Sequence, residues 1–114
     1  MLCLVVDDDP SIRQFVRAIV GSEGLETIEA DSGAAALEIV TKLNGAVDLI
    51  ITDVHMPGGD GLTLANRVTA MFPAVRIVVM SAYEEYSGDY HFLGKPFSWE
   101  TMLEAVRRVL ARAA

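Results

Sequence analysis

The sequence predicts an α/β fold in which helices cover both faces of a parallel sheet, and three observations support this prediction. Short apolar runs alternate with segments whose apolar residues recur at helical spacing, which is the pattern of repeated strand–helix units. The runs at residues 2–6, 49–52 and 77–80 are apolar almost throughout, as expected of strands buried on both faces. The 114 residues are enough for one hydrophobic core, so we expect a single domain over residues 1–114.

The first predicted strand is followed by a helix that Asp9 would cap and that Pro10 would begin. Gly21 and Gly24 are expected to end this helix. Residues 25–30 mix apolar side chains with glutamates, which is typical of a strand at the edge of a sheet.

Two further helices are predicted after the second and third strands. Ser32 and Gly33 would begin one of them, and Asp60 would cap the other. Helical spacing predicts that their inner faces consist of Ala36, Leu37, Val40 and Leu43 in the first, and of Leu64, Ala65, Val68 and Met71 in the second.

The last strand–helix unit is predicted to follow an unusually short connection. Residues 90–93 would form the strand, and Ser98 would cap the final helix. Only nine residues, 81–89, join the fourth and fifth strands, whereas a parallel crossover usually needs about a dozen or more. We therefore expect the fourth helix to be shortened or missing.

Composition excludes several classes of function. A single cysteine, Cys3, leaves neither a disulfide nor a zinc cluster to build. The net charge of −7 argues against direct binding to nucleic acid, which depends on clustered Lys and Arg. No apolar run approaches the roughly 18 residues that a membrane helix needs, and the N-terminus lacks the pattern of a secretory signal. We expect a cytoplasmic protein that does not enter the membrane.

Polar residues collect where the predicted strands end. Asp7 and Asp8 follow the first strand, Asp53 ends the third, Ser81 follows the fourth and Lys95 the fifth. The carboxyl ends of parallel strands meet at one edge of the sheet, which is where such folds bind ligands. Crowded carboxylates repel unless a cation joins them, and oxygen ligands suit Mg²⁺, which bridges to phosphate. The sequence therefore predicts a magnesium-dependent phosphoryl site.

Taken together, these motifs resemble the signature of bacterial response-regulator receiver domains, in the same order and over the whole chain. They are Asp7-Asp8, Asp53 within residues 52–61, Ser81-Ala82 and Lys95-Pro96-Phe97. The resemblance implies a flavodoxin-like, doubly wound (βα)5 sheet with strand order 2-1-3-4-5. It also implies a phosphoacceptor domain of a two-component regulatory system, which is not an enzyme but assists its own phosphorylation and dephosphorylation.

The resemblance further implies the role of each site residue. Asp53 would be the nucleophile, taking a phosphoryl group from a sensor histidine kinase or a phosphotransfer protein and becoming 4-aspartylphosphate. Mg²⁺ would be held by Asp8 directly, by Asp7 mainly through water, by Asp53, and by the backbone carbonyl of His55. Lys95 would pair with a phosphoryl oxygen, and the proline after it is often cis in this family.

The same resemblance implies a conformational switch made of Ser81 and Phe92. Ser81 would turn its hydroxyl toward the new phosphoryl oxygen, which would let Phe92 swing inward and change the outer surface. Phosphorylation would then bias an existing two-state equilibrium.

Each of these residues also has a purely structural alternative. The acidic residues after the first strand could simply cap a helix, and for Asp9 a capping role and a role in the site are equally possible. Asp53 could be a turn residue. Ser81 could be a satisfied core hydroxyl, Lys95 a surface lysine, and Phe92 a core side chain. The side chain of His55 could have no role in the site or could modulate attack by water. His91 is expected to be structural.

Two other functions stay open. An aspartyl-phosphate phosphatase would need an aspartate where His55 stands, and a degenerate receiver would act only as a protein-binding module.

The short connection bears on the partner and on the output. The expected loss of a helix should leave apolar side chains of the fourth and fifth strands partly bare, with Tyr83, Tyr86 and Tyr90 covering some of them. We therefore predict that residues 81–93 are either the most mobile part of the monomer or a homodimer contact. No output domain follows the last helix in this sequence, which could be a stand-alone regulator or a domain cut from a longer regulator or hybrid kinase. The sequence names neither the kinase nor the downstream target.

Overall fold

The computed structural model describes residues 1–57, 60–83 and 88–111. Five strands form one wholly parallel sheet in the order β2-β1-β3-β4-β5. The doubly wound fold and its strand order are therefore confirmed. The elements in chain order are β1 (Leu2–Val6), α1 (Pro10–Ser22), β2 (Glu26–Ala30), α2 (Gly33–Lys42), β3 (Leu49–Asp53), α3 (Gly61–Met71), β4 (Arg76–Ser81), β5 (His91–Gly94) and α4 (Trp99–Ala111).

The predicted helix starts are confirmed by side chains that accept hydrogen bonds from free backbone N–H groups. The Asp9 carboxylate accepts from the Ser11 N–H at 2.8 Å, and the Asp60 carboxylate accepts from the Thr63 N–H at 2.7 Å. Ser32 and Ser98 do the same through their hydroxyl oxygens, each at 3.1 Å. Each helix thus begins at a defined residue directly after the loop that leaves the carboxyl end of a strand.

The sheet buries an apolar layer on each face. One layer packs β-strand side chains against α1 and α4, and the other packs them against α2 and α3. The inner strands β1, β3 and β4 are almost completely inaccessible to solvent. Their ends are therefore well-fixed points of the carboxyl edge.

The connection between β4 and β5 contains no helix among its described residues, 82–83 and 88–90; residues 84–87, which include Tyr86, lie outside the described residues. The expectation that β4 would be partly bare is wrong. Its apolar side chains at positions 77–80 are at most 6% exposed, because α3 and α4 contact the strand from its two faces. Of these two strands, β5 is the one that is partly open, and just before it the Tyr90 hydroxyl donates to the Asn66 side-chain oxygen on α3 at 2.6 Å.

Two side chains predicted to face the sheet are instead exposed. Leu43 is 36% exposed and forms the C-cap of α2, and Met71 is 48% exposed as the last residue of α3. Both lie where the chain leaves its helix, so that helical spacing no longer decides which way they point. Within the described residues, no helix has both the length and the apolar character needed to cross a membrane.

Candidate functional site

Three carboxylates meet at the carboxyl ends of β1 and β3. Asp53 is the last residue of β3, and Asp7 directly follows β1, whose last residue pairs with Thr52. One carboxylate oxygen from each of Asp7, Asp8 and Asp53 can be chosen so that all three lie within 4.8 Å of one another. Asp7 and Asp53 are buried, at 1% and 6% exposure, whereas Asp8 is exposed. The predicted acidic cluster is therefore present and open to solvent on the side of Asp8.

Lys95 places its ammonium group between the two buried carboxylates. Its Nζ lies 2.8 Å from Asp7 Oδ2 and 3.4 Å from Asp53 Oδ2. Its backbone N–H donates to the Ser81 carbonyl at 2.8 Å, which continues the β4–β5 ladder by one residue. The Lys95–Pro96 peptide bond is cis, as the resemblance implied.

Asp7 is fixed on every side. Its Oδ1 accepts from the Asp9 N–H at 2.9 Å, and its own N–H donates to the Ala30 carbonyl at 3.2 Å. Its backbone carbonyl accepts from the guanidinium of Arg13 on α1 at 2.7 Å. Asp9 caps α1, so the structure assigns it a structural role.

Burial and neighbouring charges both shift the pKa values of Asp53 and Lys95. Burial raises the pKa of Asp53 above its usual 3.8; Lys95 opposes this shift and the charge of Asp7 adds to it. A hydrogen bond from the backbone of His55 favours the ionised form of Asp53 and lowers its pKa. Burial lowers the pKa of Lys95, but Asp7 and Asp53 outweigh it and raise that pKa above 10.5. The ammonium therefore stays charged at neutral pH and offsets the carboxylate repulsion.

The backbone of Asp53 lies directly against the start of α3. A Cβ atom added to Gly61 would lie 2.0 Å from the Asp53 carbonyl oxygen and 2.7 Å from Thr52 Oγ1. Thr52 in turn donates its hydroxyl to the Asp53 carbonyl at 3.0 Å. The sequence motif contained Gly61, but the need for glycine there follows only from this close approach.

The other predicted site residues lie around the cluster. Ser81 is buried, and its hydroxyl oxygen accepts from the Tyr83 N–H at 3.0 Å. The exposed ring of His55 contacts the ring of Tyr83 edge-on, with centroids 4.9 Å apart. Phe92 is partly buried against the layer on the α2 and α3 side. The switch made of Ser81 and Phe92 stays a prediction.

The acidic cluster fits a hard divalent cation. Its donors are carboxylate oxygens, two of them buried and one solvent-exposed, which suits an ion such as Mg²⁺ that keeps several waters. Three negative charges face one ammonium group, so the cluster has a net negative charge that a cation would neutralise.

Comparison with known proteins agrees with this geometry. The family model described as response regulator receiver domain matches residues 3–107. Sporulation initiation phosphotransferase F of Bacillus subtilis is 32% identical, over 94% of this chain and 91% of that protein. Sensor kinase CckA of Brucella abortus is also 32% identical, but the chain spans only 12% of its length.

Solved structures give the same result at the level of the fold. The receiver domain of the hybrid histidine kinase CckA is 33% identical with a TM-score of 0.85, and the match covers 96% of this chain and 99% of that one. The response regulator TrrA of Thermotoga maritima, solved in complex with Mg²⁺ and BeF, is 31% identical with a TM-score of 0.83, over 96% and 98% of the two chains. With the family model matching most of the sequence, this chain belongs to the response regulator receiver domains.

Proposed function

We propose that this receiver domain accepts a phosphoryl group on Asp53, with Mg²⁺ bound by the acidic cluster. The observation that carries the proposal is the position of Asp53, whose buried carboxylate lies 3.4 Å from Lys95 Nζ and beside Asp7 and Asp8. The donor would be a phosphohistidine on a sensor histidine kinase or on a phosphotransfer protein.

In this reaction a carboxylate oxygen of Asp53 forms a bond to phosphorus as the bond from phosphorus to the histidine nitrogen breaks. The bonding electrons leave with the imidazole, and an acyl phosphate remains on Asp53. The ammonium of Lys95 already lies beside the Asp53 carboxylate, so it would be in position to neutralise the charge on a phosphoryl oxygen. When bound, Mg²⁺ supplies Lewis-acid neutralisation of the phosphoryl oxygens. Asp8 and the His55 carbonyl would hold it directly, Asp7 would hold it mainly through water, and Asp53 would complete the set.

The conformational response would begin at Ser81. Its hydroxyl can accept from the Tyr83 N–H and still donate its own proton, so it can turn that proton toward a phosphoryl oxygen. The partly buried ring of Phe92 would then move inward. The output would be a changed surface around β4 and β5, read by a partner, an output domain or a second copy of the chain. A beryllofluoride-activated receiver domain that is 28% identical, NtrC4, was solved as a dimer.

Acetyl phosphate with Mg²⁺ should add a single phosphoryl group, seen in the intact mass, and Asp53→Asn should abolish this addition. Asp48→Asn is the matched control, since Asp48 lies just before the opposite end of the same strand, where its carboxylate accepts from the Leu2 N–H. Modification of Asp53→Asn at the wild-type rate would overturn the assignment. No incorporation into the wild type would favour the protein-binding module, and rapid phosphate release would favour the phosphatase.

A further inference from the structure

Arg13 joins three parts of the molecule next to the acidic cluster. It lies on α1, and its Nη1 donates to the backbone carbonyl of Asp7 at 2.7 Å. Its Nε donates to the carboxylate of Glu29 on β2 at 2.9 Å. The side chain is only 18% exposed, so the guanidinium is held between the end of β1 and the edge strand.

The bond to the Asp7 carbonyl matters for the residue that follows it. The carbonyl of Asp7 and the N–H of Asp8 belong to one rigid peptide plane, so a group that fixes the carbonyl also restricts the direction in which Asp8 leaves the strand. Asp7 is additionally held by Lys95, whereas Asp8 is exposed and takes its direction from the backbone.

Glu29 orients the Arg13 guanidinium and balances its charge. It pairs with Arg13 through one carboxylate oxygen and with Arg17 through the other, at 2.9 and 2.8 Å. Arg17 makes the same kind of ion pair one turn further along α1, but its Nε donates to the Thr27 hydroxyl on β2. Arg17 is therefore a natural control that shares the glutamate and does not touch Asp7.

We propose that Arg13, oriented by Glu29, is a positioning residue that fixes the Asp7–Asp8 peptide and so presents Asp8 to the Mg²⁺ ion. This inference rests on the proposed function, because it assigns Arg13 a role in the same site. Arg13 itself touches neither the metal nor the phosphoryl group. Its effect passes through the Asp7 carbonyl.

The sign of the effect separates positioning from simple electrostatics. Removing a positive charge near the cluster should by itself strengthen the binding of a cation. Loss of positioning should weaken it instead, since partners that orient metal ligands typically contribute about 10-fold or more to metal affinity. A role in folding alone would lower the melting temperature without changing the Mg²⁺ concentration that gives half-saturation.

The test compares Arg13→Gln with Arg17→Gln, which remove the same charge. Mg²⁺ binding is measured by calorimetry on metal-free protein, and phosphorylation by acetyl phosphate is measured as a function of Mg²⁺ concentration. Arg13→Gln should raise the half-saturating Mg²⁺ concentration about 10-fold, with the phosphorylation rate largely restored at saturating Mg²⁺. Arg17→Gln should stay close to the wild type in both measurements.

An unchanged or lower half-saturating concentration in Arg13→Gln would overturn the proposal, as would an equal rise in Arg17→Gln. If the glutamine variant does not fold, Arg13→Lys and Arg17→Lys replace the pair, because lysine keeps the charge but lacks the planar guanidinium, whose separate Nε and Nη1 donors reach Glu29 and the Asp7 carbonyl. If the wild type neither binds Mg²⁺ nor accepts a phosphoryl group, the proposed function fails and this proposal fails with it. If the wild type does both but the Arg13 and Arg17 variants have the same half-saturating Mg²⁺ concentration, only the positioning role fails.

Discussion

The carboxyl edge of the sheet has two sides that are built differently. On the acidic side, at the ends of β1 and β3, Asp7 and Asp53 are buried and share Lys95 as their cation. On the switch side, at the ends of β4 and β5, Ser81 is buried, but Tyr83 beyond it is 60% exposed. The short strand β5 forms the open margin of the sheet on this side.

This difference suggests a division of labour between the two sides. Charged groups react well only when their positions and neighbours are fixed in advance, and the inner strands provide this for Asp53. A signalling surface needs two arrangements of similar free energy, which an edge with few buried contacts can provide. Single changes on the acidic side should therefore have the largest effects on stability.

The largest expected effect follows from removing Lys95. In Lys95→Met the two buried carboxylates would lose their shared cation, and losing one partner of a buried ion pair costs about 3 kcal/mol of unfolding free energy. Because the pKa of Lys95 is raised, this stabilisation should persist through neutral pH and be lost only as the pH rises through the raised pKa. Urea unfolding of the metal-free protein at neutral pH measures the effect.

Lys42→Met is the matched control for this prediction. Lys42 pairs with Glu38 on the exposed surface of α2, where solvent screens the pair and it adds little to the free energy of unfolding. Equal stability changes in the two variants would show that the acidic side does not depend on its buried cation.

The next effect concerns Mg²⁺ and Asp8. A ligand that binds only the native state stabilises it by about 1.4 kcal/mol at ten times its Kd. Asp8→Ala should lose this gain in thermal unfolding, because it removes a carboxylate of the cluster. Asp9→Asn should keep the gain, since Asp9 caps α1 and an asparagine can cap equally well. A gain of the same size in wild type and Asp8→Ala would contradict the metal assignment.

A smaller, pH-dependent effect is expected from Asp53 itself. Its pKa in the folded protein is raised above 3.8, so the folded state holds this proton more tightly than the unfolded chain does. Stability is therefore lost as the pH rises from 3.8 through the raised pKa, and Asp53→Asn removes that loss. In metal-free protein the variant should gain stability relative to the wild type as the pH rises through this window. A stability difference that is constant with pH would show that burial does not disfavour the Asp53 charge.

Much of the acidic side could be predicted from the sequence, since its residues follow strands that are recognisable from their apolar runs. Asp7, Asp53 and Lys95 meet as expected because parallel strands end at one edge of the sheet. The part played by Arg13 could not be predicted in this way. Its partners are a backbone carbonyl and a glutamate on a neighbouring strand, and only the register between β1 and β2 brings these together.

The switch side was less predictable. The short connection was evident from its length, but its effect on β4 was misjudged, because α3 and α4 cover the two faces of that strand. Leu43 and Met71 show a similar limit, since helical periodicity does not say where a helix stops covering the sheet. The length of the connection predicts a shortened or missing helix, whereas tertiary packing decides which side chains are exposed.

The smallest expected effect on stability, and the one that bears most on signalling, concerns residues 81–93. In hydrogen exchange, amides of β5 should exchange faster than those of β1 and β3, because β5 pairs with β4 on one side only. The strand β2 is the matched control, since it is the other edge strand and pairs only with β1. Beryllofluoride with Mg²⁺ should slow exchange at the described residues 88–93, or shift sedimentation toward a dimer, and leave β2 unchanged. This follows if Ser81 and Phe92 transmit the occupancy of Asp53 to the β5 edge of the sheet. If residues 81–93 are instead as protected as β1 and β3 in a strict monomer, with no response to beryllofluoride, the two sides do not differ in the way proposed and the signal must leave the domain elsewhere.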